Sequence, residues 1–358
     1  MKKIAISLVL PLFGLLGCPA NNPPIDPGDE DDDGSADARL RVKNYINGEL
    51  TLLNDSAAAL QSFAPDGDAN GWNPADDLQA VLTMKGQWKN ARLSYERVEG
   101  AIAVLFPGLD ASTDERWDGF IGEAADANLF DDDGVTGVHG VERILFADQV
   151  PANVLTFEQG VGDGFVPSRF TAPAFPANLA ESTDFKTKLV QRLVDDTATM
   201  KEEFLDVDLA LEAAFRGVLG SMEEQAEKVN LAGTGEDESR YAQHTLADMR
   251  ANLEGGLEIY EAFDKMFEAK GAQGEALHEE IHEAFERVKA QYDGIAGDAI
   301  PAVPATWNPD APSVEDQASE YGALFLFLAD ETDFENPASF VSLFREGAEL
   351  LEIPELAE

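Results

Sequence analysis

The sequence predicts an all-α fold built as two helical bundles in tandem. Three observations point there. Apolar residues recur at spacings of three and four through most of the chain. Little of it alternates with the period of two that a half-buried strand requires. A stretch rich in Gly, Pro and Phe, "EQGVGDGFVPSRFTAPAFPAN", parts two helical halves, which gives bundles over residues 38–175 and 176–358. No short repeat is visible, so a solenoid is set aside.

The elements follow in order. "MKK" is a positive start, and "IAISLVLPLFGLL" is apolar but too short to span a bilayer. It ends in "LLGC", with Gly17 directly before Cys18, the cleavage signature of a bacterial lipoprotein. Residues 1–17 are therefore expected to be removed and Cys18 lipidated. The body is then tethered to a membrane after export, on its periplasmic or cell-surface face. Cys18 is the single cysteine, so no disulfide forms within the chain. Residues 18–37, "CPANNPPIDPGDEDDDGSAD", are acidic and Pro-rich and read as an extended tether. From Ala38 the pattern is helical, with Leu40, Val42, Tyr45, Ile46, Leu50, Leu53 and Leu60 on roughly one stripe. A second helix opens at Pro74 and its acidic neighbours and stops at Pro107 and Gly108. Residues 151–180 read as an irregular crossing. Long helices then resume and run, with breaks, to the end.

The composition bounds the function. Lys plus Arg is 25 against 69 Asp plus Glu, a net charge of −44. Such a surface repels nucleic acid phosphates and anionic lipid, attracts cations, and suits a salty environment. Nucleic acid is thereby excluded as a partner. The apolar fraction of 44% is ample for a core.

Chemistry is concentrated in "DDDGVTGVHGVERILF". His139 and Glu142 stand three apart, so on a helix they share a face. An imidazole nitrogen and a carboxylate oxygen together suit zinc, iron, manganese or copper. Gly137 and Gly140, also three apart, lay a bare strip of backbone, each costing about 1 kcal/mol of helix propensity. On spacing alone, a satisfied core histidine with Glu142 in solvent is the stronger reading.

Two shorter motifs compete. "HEEIH", His278 to His282, matches the zinc-peptidase pattern of His-Glu-x-x-His. Its flanks argue against it: Leu277, Ile281, Phe285, Val288 and Tyr292 form the apolar stripe, and the histidines lie beside it among glutamates. Glu283 is placed to pair with Arg287. In "PDGDANGWNPADDL", Asp66, Asp68, Asn70, Gly71 and Asp77 follow the spacing of a calcium loop. The competing reading is a polar turn between helices.

Two further segments shift the balance at His139. "QWKNARLSYERVEG" places Trp88, Arg92, Tyr95, Glu96 and Glu99 near one helix face, and "ESRYAQHTLADMRANLEG" carries Ser239, Arg240, Tyr241, Thr245, Asp248 and Asn252. With Gly137-x-His139-x-x-Glu142 and its "RILF" run, these segments resemble the imelysin family, also called the M75 peptidase-like family, which includes periplasmic iron-uptake lipoproteins. The resemblance covers most of the chain beyond the tether. Tyr241-Ala242 departs from the family's more usual Phe-Ser, which leaves no hydroxyl at position 242. The resemblance implies two bundles with a functional cleft between them. It implies a transition metal, iron or zinc foremost, held by His139 and Glu142 with Glu96 and Glu99 as further ligands. Trp88, Arg92, Gly137, Ser239, Arg240, Thr245 and Asp248 would line the cleft. It also implies partner proteins of metal uptake. An M75-type metallopeptidase is the enzymatic alternative, and a structural lipoprotein that keeps the fold without metal is the third.

Overall fold

Helix α1, Ser35–Phe63, shows how the apolar spacing becomes a core. Val42, Ile46, Leu50, Leu53 and Leu60 are fully buried, and each such side chain stabilises the fold by about 1.5–3 kcal/mol. Leu40, expected on that stripe, faces outward at 61% exposure, and Ala38 and Ala57 complete the buried line instead. The computed structural model describes residues 33–73, 75–114, 128–165 and 168–356. The export signal, Cys18 and the tether as far as residue 32 lie outside the described residues. The helix begins at Ser35, inside the stretch expected to be tether, with Gly34 as N-cap at φ +85° and the Ser35 N–H donating to the Asp33 carboxylate at 3.0 Å.

Among the described residues every regular element is helical, and none is long and apolar enough to cross a membrane. Helix α2 spans Leu78–Glu96, later than the expected start at Pro74, with the Asp77 carboxylate accepting the Asn73 N–H at 2.9 Å. Helix α3 is Glu99–Leu105 and α4 is Pro107–Asp114. Pro107 does end α3, but it also opens α4, since proline fits the first turn of a helix. Next come α5, Gly137–Leu145, and α6, Ala152–Asp163. The latter occupies ground expected to be irregular. Its glycines are tolerated because Val154 and Glu158 are buried and Gly162 lies against Phe170, where a Cβ would fall 2.8 Å from the Phe170 Cβ.

Helix α7, Leu179–Asp184, runs through a wide turn at Phe185–Leu189 into α8, Val190–Leu205. Then follow α9, Leu211–Glu223, α10, Gln225–Leu231, and α11, Thr245–Tyr260. The C-terminal part contains α12, Asp264–Ala269, and α13, Ala272–Asp293. It ends with α14, Val314–Gln317, α15, Glu320–Glu331, and α16, Phe340–Leu350.

Two apolar cores organise these helices. One gathers Leu60, Trp72, Met84, Trp88, Val141, Phe146, Phe185 and Leu193. The larger one gathers Val42, Leu50, Tyr95, Phe204, Phe215, Met249, Phe285 and Phe344 with their neighbours. Both draw on residues from either side of position 175. Helices α1, α2 and α8 each contribute to both cores, so they act as shared beams. Arg92 stands where α2 passes from one core, at Trp88, to the other, at Tyr95.

Gly137 is required twice. Its φ of +72° lies in the left-handed region. A Cβ there would also collide with the Thr113 carbonyl oxygen and stand 2.8 Å from that of Ser112. Gly140 is less demanding: a Cβ there would press, at 3.2 Å, on Val135 of the turn before α5. Gly137→Ala is therefore expected to cost at least about 1–3 kcal/mol through backbone strain. A denaturant titration with an unchanged midpoint would contradict this account.

Candidate metal centre

The first turn of α5 is pinned before any ligand is considered. Trp88 on α2 donates its indole N–H to the Val138 carbonyl at 2.8 Å, and its ring meets Phe146 edge-on at 5.2 Å. Trp88, expected to line a cleft, is instead a buried clamp that sets where His139 stands. His139 and Glu142 are both buried, at 1% and 0% exposure. The His139 Nδ1 meets Glu142 Oε2 at 2.8 Å. The other oxygen, Glu142 Oε1, accepts the backbone N–H groups of Tyr241 at 3.0 Å and Ala242 at 2.8 Å.

Glu142, expected as a ligand, has Oε1 bonded to two backbone N–H groups and Oε2 to His139, the contacts of a group that orients the imidazole. A carboxylate on Nδ1 holds the proton there and leaves Nε2 as a bare acceptor, the usual arrangement behind a metal-binding histidine. The His139 Nε2 is buried and receives no hydrogen bond among the described residues. The Tyr241-Ala242 departure costs nothing at this contact, because only the backbone is used. The Tyr241 hydroxyl donates elsewhere, to the buried Glu158 that also binds Arg143.

The His139 Nε2 faces Asp114 Oδ1 at 3.5 Å. Asp114, at the C-terminal end of α4, and Glu238, in the segment before α11, join it as a group whose ligand atoms all lie within 4.8 Å of one another. Neither acid was among the residues singled out by motif. A second group is formed by Glu96, Glu99 and Glu238. Among the described residues these are the groups placed to hold a cation.

Arg92 knits the groups together. It is fully buried and ion-paired to Glu96 and Asp114, to Glu238 at 2.6 Å, and to Asp248 at 3.6 Å. Lys228 on α10 reaches Glu238 at 2.7 Å. Asp248, in the first turn of α11, accepts the Ser239 hydroxyl on one oxygen and meets His244 Nδ1 at 2.9 Å on the other. Thr245 accepts the Ser239 N–H at 3.0 Å and donates to Asp237 at 2.9 Å. Ser239, Thr245, Asp248 and the unanticipated His244 thus form a brace under Arg92, not a cleft wall. Arg240 lies apart, its Nε donating to the Asp237 carbonyl and its guanidinium over the Phe157 ring.

A pocket of about 420 Å³ opens onto the site, lined by Asp110, Asp114, Glu224, Glu227, Lys228 and Glu238. Carboxylates outnumber cations around it, and the titrations follow. Burial raises the Glu96 and Asp114 carboxyls well above their ordinary range despite the pull of Arg92. Burial and the nearby Asp114 push Asp110 up to about 7. Burial likewise raises Glu142 against its His139 bond. Glu238 is the exception: burial pushes it up, but Lys228 and Arg92 overcome that and hold it low.

Between about pH 4 and pH 7 the folded chain thus keeps protons that unfolded carboxylates have lost. The native state binds more protons, so stability falls as pH rises through that window. The metal-free protein is expected to melt at progressively lower temperature from about pH 5 to pH 8, and a rising melt over that range would contradict the assignment.

The rival motifs do not assemble. Asp66 points to Lys186 at 2.8 Å and is 98% exposed. The Asp68 carboxylate accepts the Asn70 N–H at 2.9 Å, and Asp77 is spent on Asn73. The turn uses its carboxylates on its own backbone, so the calcium spacing does not become a convergent shell. In "HEEIH" the stripe Leu277, Ile281, Phe285, Val288 and Tyr292 is buried as expected. His278 bonds the Tyr260 hydroxyl at 2.7 Å, and His282 faces Glu261 at 3.6 Å. Arg287 pairs with Glu331 at 3.0 Å rather than with Glu283, because α15 brings a buried carboxylate into its reach.

The sequence model of imelysin, peptidase M75, matches residues 51–320. The chain is 28% identical over 217 residues to the iron uptake system component EfeO of Yersinia pseudotuberculosis, covering 61% of this chain and 43% of that protein. It is 25% identical, with the same shares covered, to the iron uptake system component EfeO of Escherichia coli. The chain thus spans less than half the length of the curated relatives it matches. A crystal structure of an imelysin-like protein from Psychrobacter arcticum has a TM-score of 0.50 at 12% identity, covering 85% of this chain and 97% of that one, a likeness of fold. With its family model matched across most of its length, the chain belongs to the imelysin family.

Proposed function

We propose that this protein is a membrane-tethered, extracytoplasmic imelysin-like protein that binds a transition metal, iron foremost, in metal uptake or handling. One observation carries the binding site: a buried His139 whose Nδ1 is held by Glu142 presents a bare Nε2 toward Asp114 and Glu238. One imidazole and two carboxylates form a donor set suited to iron, zinc or manganese. The choice of iron rests on relatives named as components of an iron uptake system. The Gly17-Cys18 signature supports the tether, and partner proteins of uptake follow from the same relatives.

Hydrolysis by a serine nucleophile is not supported. Ser239 is fully buried, and its hydroxyl is held by Asp248 beneath Arg92, out of reach of a substrate. The test is metal content by elemental analysis after loading with iron(II) or zinc(II) and desalting. Wild type is expected to retain metal, and His139→Ala and Asp114→Asn to lose it. Equal content in all three would sink the assignment.

A further inference from the structure

The group formed by Glu96, Glu99 and Glu238 already has a cation at its centre. The Lys228 Nζ lies 2.7 Å from Glu238 Oε2, 3.4 Å from Glu99 Oε2 and 3.6 Å from Glu96 Oε2, with Asn252 Oδ1 at 3.2 Å. Four oxygens on three helices and one connecting segment converge on one nitrogen. Glu96 is 1% exposed, and among the described residues neither of its oxygens accepts a hydrogen bond and its partners are the cations Arg92 and Lys228. A buried carboxylate with no hydrogen-bond donor is costly unless a cation stays beside it.

Glu238 belongs to this group and to the His139 group at once. Its Oε2 faces Lys228 and its Oε1 faces Arg92. A carboxylate shared by two adjoining cation positions is the pattern of paired-metal sites in helical bundles. Lys228 and Glu238 also line the pocket that opens onto the site, so an ion entering it meets both positions.

We propose that Lys228 occupies the second position of a carboxylate-bridged pair, so that the centre accepts one metal ion where its ligands would otherwise take two. The proposal rests on the His139 centre being a metal site. A tethered ammonium loses little translational freedom on arrival, whereas a free ion must pay that cost. A single positive charge also repels a neighbouring divalent ion less than a second divalent ion would. Lys228 in this role keeps the first position neutral enough to release its ion, a property that suits a carrier.

The experiment counts zinc ions per chain after loading with excess zinc(II) and desalting, with folding followed by circular dichroism. Wild type is expected to hold one ion and Lys228→Met two. The double variant Lys228→Met with Glu99→Gln is expected to return to one, because the vacated position loses a ligand. Lys228→Gln is measured alongside, since its amide can keep the bond to Asn252 should the methionine variant fail to fold. Two ions in a folded Lys228 variant, returning to one with Glu99→Gln, support the proposal. One ion in every folded Lys228 variant, or two in the wild type, overturns it. No ion in the wild type would instead remove the His139 centre itself.

Discussion

Glu142→Gln is expected to lose more metal affinity than Glu142→Ala, although it is the milder change in shape. The reason is the proton on His139. Two backbone N–H groups, from Tyr241 and Ala242, point at Glu142 Oε1. In the glutamine variant they hold the amide oxygen on their side. The amide NH2 then faces His139 Nδ1, which must become an acceptor. The imidazole proton moves to Nε2, the atom that faces Asp114. A protonated Nε2 cannot ligate. Alanine removes the orienting carboxylate but leaves the tautomer free, a loss of about 10–100-fold in affinity. Glutamine is expected to exceed that range. Isothermal titration of zinc(II) into the two variants and His139→Ala decides the matter. If Glu142 were a ligand, the order would reverse, because an amide oxygen ligates weakly and a methyl group does not.

This reassignment shows what the sequence could and could not convey. His139, Glu142, Arg92, Glu96 and Asp248 were visible as motif residues, and the structure brings all of them into one cluster. Their roles were not visible. The pairing of Glu142 with the Tyr241 and Ala242 amides joins segments about a hundred residues apart, and no local spacing encodes it. Asp114 and Glu238 were lost among 69 acidic residues, although Glu238 stands directly before the Ser239-Arg240 pair. Lys228 carried no such signal: it sits beside Gln225, Glu227 and Asn230 on a short helix of mixed character. The helices were legible because burial imposes a period on them, as along α13. Their ends were less so, because a cap such as Gly34 or a proline such as Pro107 acts through one residue. The calcium-loop spacing shows the converse. Its carboxylates were correctly spaced, but local backbone N–H groups and Lys186 took them.

Arg92→Met is expected to be the most destabilising single change in the site. The guanidinium is fully buried and is shared by Glu96, Asp114, Glu238 and Asp248. Methionine fills much of the same volume, so the loss is electrostatic rather than a cavity. Removing one partner of a buried ionic set leaves uncompensated charge, at about 3–5 kcal/mol. For a chain of this size that is a fall in melting temperature on the order of 10 °C. Lys228 cannot compensate, being held by Glu238, Glu99 and Glu96 already. Arg92→Lys is expected to restore only part of the loss, because a single ammonium cannot reach around four carboxylates as the planar fork does. Two conditions should narrow the gap between variant and wild type. Lower pH protonates Glu96 and Asp114, though not Glu238, so the deficit shrinks toward about pH 5. A divalent ion supplies the missing positive charge, so zinc(II) should raise the melting temperature of Arg92→Met more than that of the wild type. Thermal melts at two pH values, with and without zinc(II), measure all of this. An Arg92→Met protein that melts within a degree of the wild type at neutral pH would mean that protons on Glu96 and Asp114, rather than the guanidinium, neutralise the cluster.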